Sequence, residues 1–447
     1  MQLLPVIDRS LALARRARGL IPAETQTLAK GPGQWSDGVA PRFLVRGSGP
    51  RTWDVDGNEY LDLSMGVGPV VLGHAYPAVD DAIRAQLERG IAFSLPSPLE
   101  VEVAELLRDL VPGAERVRFS KTGADVTSAA VRLARAFTGR DRVLCCGYHG
   151  WHDWYVGTTD RSAGVPWAVA ELTNTIRYND LDSVRDALDE TVACVILEPT
   201  VVEPPVPGFL EGLRALCDER GALLVFDEMW TGFRLAVGGA QAHYGVQADL
   251  ACFSKALANG MPLSALTGRG EVMDLLERDV FFFTTFGGEA LSLAAARATL
   301  GTIAREEVPR ALAETGRTLR DGIEDIARGV GLAHAVRVVG YDARTMLAVS
   351  DPRAPALAIK TLIQQELLRH GVLWSGFHNL SYSHGPTEIA AILFAYSEAL
   401  RVVARALADA SVERRLEGGL LEPVFRRTEG FHTRPRGVPA PLFGGPR

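Results

Sequence analysis

Two apolar runs in this 447-residue chain end in residues equipped for chemistry. Residues 223–228 read LLVFDE and deliver Asp227 and Glu228; residues 249–255 read DLACFSK and deliver Ser254 and Lys255. A short apolar run bounded by polar residues suits a strand buried on both faces of a parallel sheet. Ligands of such sheets sit beyond the carboxyl ends of the strands. An acid and an amine are thus offered at one edge. That is what pyridoxal phosphate needs: a lysine for its Schiff base and an acid for its pyridinium nitrogen. A lone lysine at a strand end is more often a surface residue, so the assignment rests on what accompanies it.

Several other segments have matching chemistry. SKTGAD (120–125) runs into the helical pattern VTSAAVRLARAF, with Thr122 or Asp125 as cap and Gly123 and Ala124 at the entry. Unpaired N–H groups and the positive dipole end at a helix start bind phosphate, although the same residues also make an ordinary N-cap. Small residues let the backbone approach the anion. In GYHGWHDWY (147–155), Tyr148 lies just beyond the run VLCC, where an aromatic ring stacks on a flat cofactor. His149 and His152 share that loop, but no cysteine or carboxylate cluster with ligand spacing accompanies them, so no metal site is expected. VILEPTVVEPPVPGF (195–209) contributes Glu198 and, five residues on, Glu203; TTFGGEALSLAAA (284–296) is a second small-residue entry to a helix.

Positioning these residues requires a frame, and the pattern supplies one. From about residue 117 strand, loop and helix alternate. Strands are expected at 143–146, 192–198, 223–227, 250–253 and 263–268, with helices at 125–137, 181–189, 209–220 and 290–306. That is an α/β arrangement with a mostly parallel sheet. Before it, 38–63 alternates apolar and polar residues with turns, as a small antiparallel sheet does, and helices are expected at 76–90 and 105–112. After it come helices at 310–328 and 387–408 and short strands at 334–338, 345–349, 372–374 and 379–383. Residues 412–447, rich in Gly, Pro and Arg, read as an extended tail. The N-terminal stretch, interrupted by Asp8 and lacking an apolar core with a cleavage site, reads as a short amphipathic helix and not a secretion signal.

Composition excludes other classes. A net charge of −7 offers no electrostatic reason for nucleic acid or anionic membrane as partner. No apolar stretch approaches a membrane span. The five cysteines are odd in number and sit mostly inside apolar runs, so buried reduced thiols and a cytoplasmic location are expected.

The order of the motifs resembles the class III, fold type I, pyridoxal phosphate-dependent aminotransferases, in particular the glutamate-1-semialdehyde aminomutase-like branch, over about residues 38–400. The resemblance rests on WDVDGNEYLDL (53–63), GPVVLGHAYP (68–77), TGADVTSAAVRLAR (122–135), YHGWHD (148–153), EPTVVE (198–203), DEMWTGFR (227–234), SKALANGMP (254–262) and TTFGGEAL (284–291). It implies a large domain with a seven-stranded, mostly parallel sheet (96–308) and a smaller α+β domain assembled from 1–95 and 309–425, with 426–447 as tail. Lys255 would form the Schiff base and carry the proton between Cα and C4′. Attack needs its neutral amine, so burial and a nearby cation would have to lower its pKa. Asp227 would pair with the pyridinium N–H, Tyr148 and Met229 would flank the ring, and Gly123 and Ala124 would bind the phosphate. Thr285 would reach the phosphate of the partner subunit in a homodimer, and Glu203 would lie near O3′ or the substrate.

The substrate side departs from that family. The C-terminal segment NLSYSH (379–384) offers Ser381 and His384 where many relatives place an arginine, Lys30 stands where the aminomutases bind a carboxylate, and Glu289 replaces a common asparagine. These changes point away from a tetrapyrrole aminomutase. They favour transfer of an amino group, with glutamate as donor, to a keto-sugar or natural-product carbonyl, with Lys30, Glu203 and His384 as substrate contacts. The alternative is a 2,1-aminomutase acting on a single substrate.

Overall fold

A computed structural model of the protein describes residues 3–422. The expected tail (426–447) and the three residues before it lie outside the described residues. Two units divide the chain: Ala78–Glu307 forms one, and the segments up to Pro77 and from Val308 form the other.

The Ala78–Glu307 unit is built on a seven-stranded sheet. Its strands lie in the order Arg116–Ser120, Ser264–Gly268, Leu250–Phe253, Leu223–Asp227, Val192–Leu197, Arg142–Cys146 and Thr173–Thr175. The last five run parallel, and Ser264–Gly268 pairs antiparallel with both of its neighbours. Every residue of the four strands Val192–Leu197, Leu223–Asp227, Leu250–Phe253 and Ser264–Gly268 is buried. The alternation of strand side chains explains why. Val143, Cys145 and Ile196 face one core with Val126, Ala130 and Leu133 of the helix Gly123–Thr138. Leu144, Val195 and Leu224 face another with Phe209, Leu213 and Leu216 of the helix Phe209–Arg220. Because helices cover both faces, these strands are predominantly apolar. All five cysteines are buried, and none forms a disulfide among the described residues.

Two of the seven strands carry no such signature. Arg116–Ser120 reads RVRFS and Thr173–Thr175 reads TNT; both are edge strands, where one side needs no apolar residue. The helix expected at 105–112 spans Pro98–Leu110, started by a capping box between Ser97 and Glu100 with Pro98 in its first turn.

In the other unit, Leu44–Ser48, Arg51–Asp54 and Glu59–Asp62 form an antiparallel sheet extended by Val372–Leu373, which lies parallel to Glu59–Asp62. Val336–Tyr341, Arg344–Val349 and Phe377–His378 form a second sheet. The helices of this unit are Asp8–Arg18, Val308–Gly329, Ala356–Arg369 and Pro386–Ala408, whereas Pro77–Leu87 starts at the boundary and runs into the Ala78–Glu307 unit. Ala356–Arg369 has no sequence counterpart above, and nearly all of it from Ala358 on is buried, including the polar Thr361, Gln364, Gln365, Glu366 and Arg369. The strand expected at 379–383 is a turn instead, closed by the Ser381 N–H donating to His384 Nδ1 at 3.0 Å. No helix among the described residues is long and apolar enough to cross a membrane.

Candidate active site

Asp227 ends the strand Leu223–Asp227, and Lys255 lies just past its parallel neighbour Leu250–Phe253, with Asp227 opposite Cys252 in the register. The acid and the amine therefore share the carboxyl edge of the sheet. Asp227 is buried. One carboxylate oxygen faces His149 Nδ1 at 2.8 Å, and the other accepts the Met229 N–H at 3.0 Å. Glu228, next in sequence, points elsewhere and accepts bonds from the Thr231 hydroxyl and from the Ala240 and Gln241 amides. Burial pushes its carboxyl up to about 7 against the pull of those donors. Of the acid pair, Glu228 is thus consumed in holding its own loop.

Lys255 opens a 3₁₀ turn, Lys255–Ala258, with a left-handed φ of 41°. Such a backbone is disfavoured by roughly 1–2 kcal/mol for a residue with a Cβ. The turn is held by the Leu257 N–H donating to Ser254 O and by the Ser254 hydroxyl donating to Leu263 O. The expectation that Lys255 is buried is not met: its side chain is exposed in the single chain.

The loop after Arg142–Cys146 is fitted closely to its surroundings. The Tyr148 N–H donates to Glu198 Oε1 at 2.8 Å. Gly147, with φ +112°, makes that contact attainable, because a Cβ there would lie 2.8 Å from the same oxygen. Burial raises the Glu198 carboxyl, Asp227 raises it further, and the Tyr148 amide and the charges of His149 and Lys255 oppose them. The phenol of Tyr148 is also raised, by burial and then by Asp227 and Glu198, while its ring remains 49% exposed and available to a ligand. Tyr155 meets that ring edge-on at 5.6 Å.

The helix Gly123–Thr138 begins beside this loop, capped by Thr122 and Asp125 in a capping box. Burial raises the Asp125 carboxyl, but hydrogen bonds from Thr122, Ser120 and Lys121 outweigh it and leave it lowered. The amides of Gly123 and Ala124, first and second in the helix, have no carbonyl within it to bond. A Cβ on Gly123 would lie 2.6 Å from Met229 Sδ, and one on Gly150 would lie 2.7 Å from Ala124 Cβ. Glycine is thus required at 150, whereas at 123 a Cβ would have to displace the flexible Met229 side chain. The described geometry fits pyridoxal phosphate: two orphan amides for an anion, an accessible aromatic ring, a buried carboxylate and an exposed amine.

Sequence and structure agree that Lys255, Asp227, Tyr148, Gly123, Ala124 and Met229 belong to one neighbourhood. The remaining candidates lie differently. Glu203 is exposed on the loop after Val192–Leu197, and its backbone carbonyl accepts from the Thr200 hydroxyl at 2.7 Å. Thr285 is exposed on the segment before the helix Ala290–Arg305. Glu289 caps that helix through Leu291 N and Ser292 N and pairs with Lys121 Nζ at 2.7 Å. Lys30, exposed on a short 3₁₀ turn, and His384, buried, belong to the other unit. Burial lowers the His384 imidazole to about 4. Two residues of the neighbourhood, His149 and Glu198, were given no role by sequence reasoning. The signal for them was position: Glu198 directly follows a strand, and His149 stands three residues past the end of another.

Comparison with known proteins identifies the family. The family model described as aminotransferase class-III matches residues 34–389. Among solved structures, the chain is similar to the Sphingopyxis sp. FumI protein in its pyridoxal phosphate internal aldimine form, with 32% identity, coverage of 91% of this chain and 99% of that one, and a TM-score of 0.84. An omega-transaminase from Sphaerobacter thermophilus is 27% identical over 90% of this chain and 98% of its own, with a TM-score of 0.81. A glutamate-1-semialdehyde aminomutase from Pseudomonas aeruginosa, in complex with pyridoxamine phosphate, is 25% identical over 88% and 94%, with a TM-score of 0.77. With the fold type I architecture and the cofactor side both present, the chain belongs to the class III aminotransferases, enzymes that use pyridoxal phosphate.

Proposed function

We propose that the protein transfers an amino group from an amino-acid donor, glutamate, to the carbonyl of a keto-sugar or related natural-product intermediate, in two half-reactions at one site. The observation that carries this reading is the exposed Lys255 beside the buried, doubly hydrogen-bonded Asp227 on adjacent parallel strands. Bound pyridoxal phosphate supplies an electron sink that allows an amino acid to lose its α-proton. Lys255 Nζ would hold the cofactor and, as a free amine, would accept and return the substrate's α-proton. Asp227 keeps a proton on the ring nitrogen by offering a buried carboxylate. Tyr148 packs against one ring face and Met229 against the other. The Gly123 and Ala124 amides hold the phosphate at the positive end of their helix.

Thr285 completes the phosphate site of a second copy, so the working enzyme is a homodimer. Phe281, Phe283 and Phe286 around it are 74%, 60% and 60% exposed, which favours burial of this segment against another chain. Glu203, Lys30 and His384 are the substrate-side candidates. The enzyme acts in the cytoplasm, in a biosynthetic pathway, a location consistent with five buried cysteines that form no disulfide.

The test is a half-reaction. Protein loaded with pyridoxal phosphate should lose the visible absorbance of its lysine-bound cofactor on addition of glutamate and release one equivalent of keto acid. A panel of carbonyl compounds should then restore the band. Normal cycling by Lys255→Ala would overturn the assignment. The similarity to an aminomutase makes single-substrate isomerisation the second reading, and turnover without any separate donor would select it.

A further inference from the structure

We infer that Gln364 is a positioning residue for the amino donor: with a C-terminal strap, residues 415–422, it fixes the N-terminal segment that carries Lys30. The inference rests on Lys30 as a substrate-side residue, proposed above, and assigns its ammonium to a carboxylate of the glutamate donor. Lys30 stands on the first of two short 3₁₀ turns, Leu28–Lys30 and Pro32–Gln34, and neither turn buries a side chain. Packing therefore does not place this stretch, and its tethers must. Upstream, Glu24 pairs with Arg18 at 3.0 Å and with Arg42 at 3.1 Å. Downstream, the Ser36 N–H donates to Gln364 Oε1 at 2.8 Å, while Gln364 Nε2 donates to Gln34 O at 3.2 Å and to Trp374 O at 2.9 Å. Gln364 is fully buried, so its amide costs stability unless both polar atoms find partners. Both find them in backbone. Leucine would fill the space equally well if packing were the only task.

The strap is held by the same helix, Ala356–Arg369. Thr361, Gln364 and Gln365 share one face of it at i, i+3 and i+4, and all three are buried. Thr361 Oγ1 accepts the Leu421 N–H at 3.1 Å. Gln365 accepts the Glu417 N–H at 2.8 Å and donates to Arg415 O at 3.0 Å. The strap then meets the N-terminal segment directly. The Gly419 N–H donates to Asp37 O at 2.9 Å, and the Ser36 hydroxyl donates to Gly419 O at 3.0 Å. Gln34 Nε2 donates to Glu422 O at 2.8 Å, and the Glu422 N–H donates to Gly33 O at 2.6 Å. Gly418 permits this approach, because a Cβ there would lie 2.5 Å from both Asp37 O and Ser36 Oγ. The strap lies beyond residue 389, where the family match ends.

Two substitutions loosen this clamp from opposite sides. Gln364→Leu removes the amide from the helix, and Gly418→Ala pushes the strap off the N-terminal segment. In each variant, amide hydrogen exchange across residues 28–37 should quicken while pyridoxal phosphate binds as in the wild type. In the half-reaction with glutamate, the concentration giving half the limiting rate should rise about tenfold, the scale of one lost charge-assisted contact, with the limiting rate unchanged. Lys30→Met alone should produce the same rise. Adding Gln364→Leu to it should produce no further rise, because both changes act through one ammonium. Wild-type glutamate dependence in either clamp variant, or a full additional rise in the double variant, overturns the inference. If Gln364→Leu does not fold, Gly418→Ala decides, alone and combined with Lys30→Met. Unchanged glutamate dependence in Lys30→Met, or no reaction of the wild type with glutamate, defeats the underlying reading and the inference with it. A rise in Lys30→Met with none in the clamp variants defeats only the role of Gln364.

Discussion

At the scale of single residues, the site depends on places where a side chain is missing. Gly150 has φ +103°, and a Cβ there would stand 2.7 Å from Ala124 Cβ and 3.0 Å from its Cα. Alanine at 150 therefore meets both a disfavoured backbone and a rigid neighbour. We expect Gly150→Ala to destabilise the apo-protein by about 2 kcal/mol or more, seen as a lower urea midpoint together with weaker cofactor binding. Unchanged binding would mean that the loop and the helix start are not coupled. Gly123 is a milder case, because the obstacle is the thioether of Met229, a flexible side chain. Gly123→Ala combined with Met229→Ala should lose less cofactor affinity than the sum of the single changes, since one releases the clash made by the other.

At the scale of elements, the helix Gly123–Thr138 and the loop that carries Tyr148 behave as one piece. Besides the Gly150 contact, Thr127 holds His149 O, and the Ser128 hydroxyl accepts the Trp154 indole N–H at 2.9 Å and meets His152 Nδ1 at 2.6 Å. The helix start is independently set by the Thr122–Asp125 capping box. Removing the cap with Thr122→Ala should cost about 1 kcal/mol and weaken phosphate binding. Because the loop is clamped to the same helix, the near-ultraviolet signal of Trp154 and Tyr155 should change with it. A thermal-unfolding series monitored at both wavelengths tests this, and a stability loss without the aromatic change would show that the loop is held by the sheet alone.

At the scale of the whole molecule, stability and legibility both follow from burial. In the unit outside Ala78–Glu307, His378 is buried between the Thr345 hydroxyl and the Tyr396 hydroxyl, each at 2.7 Å, and burial lowers its imidazole to about 3; His384 is lowered to about 4. An unfolded histidine titrates near 6.5. Between 6.5 and these lowered values the unfolded chain binds more protons, so stability is complete above about 6.5 and falls as pH drops toward 4. Each histidine contributes at most about 1.4 kcal/mol per pH unit. Urea unfolding at successive pH values should show this slope, and His378→Asn should reduce it by about one proton.

The sequence by itself determined the strand runs ending at Asp227 and Lys255, the cap at Thr122, the aromatic after Cys146 and the family these motifs define. These are local signals, since apolar period and capping chemistry are properties of consecutive residues. The edge strands Arg116–Ser120 and Thr173–Thr175 lack the continuous apolar run of the central strands, and in the helix Ala356–Arg369 polar residues are buried with the apolar ones, so none of the three stood out. Only the tertiary structure decided which side chains meet. Tyr148 finds Glu198 across 50 residues and His149 finds Asp227 across 78, while Glu228 turns away from Asp227 though adjacent to it. A hydrogen bond between distant residues is selected by how strands and helices pack, and that packing sums many small contacts that no short stretch of sequence contains.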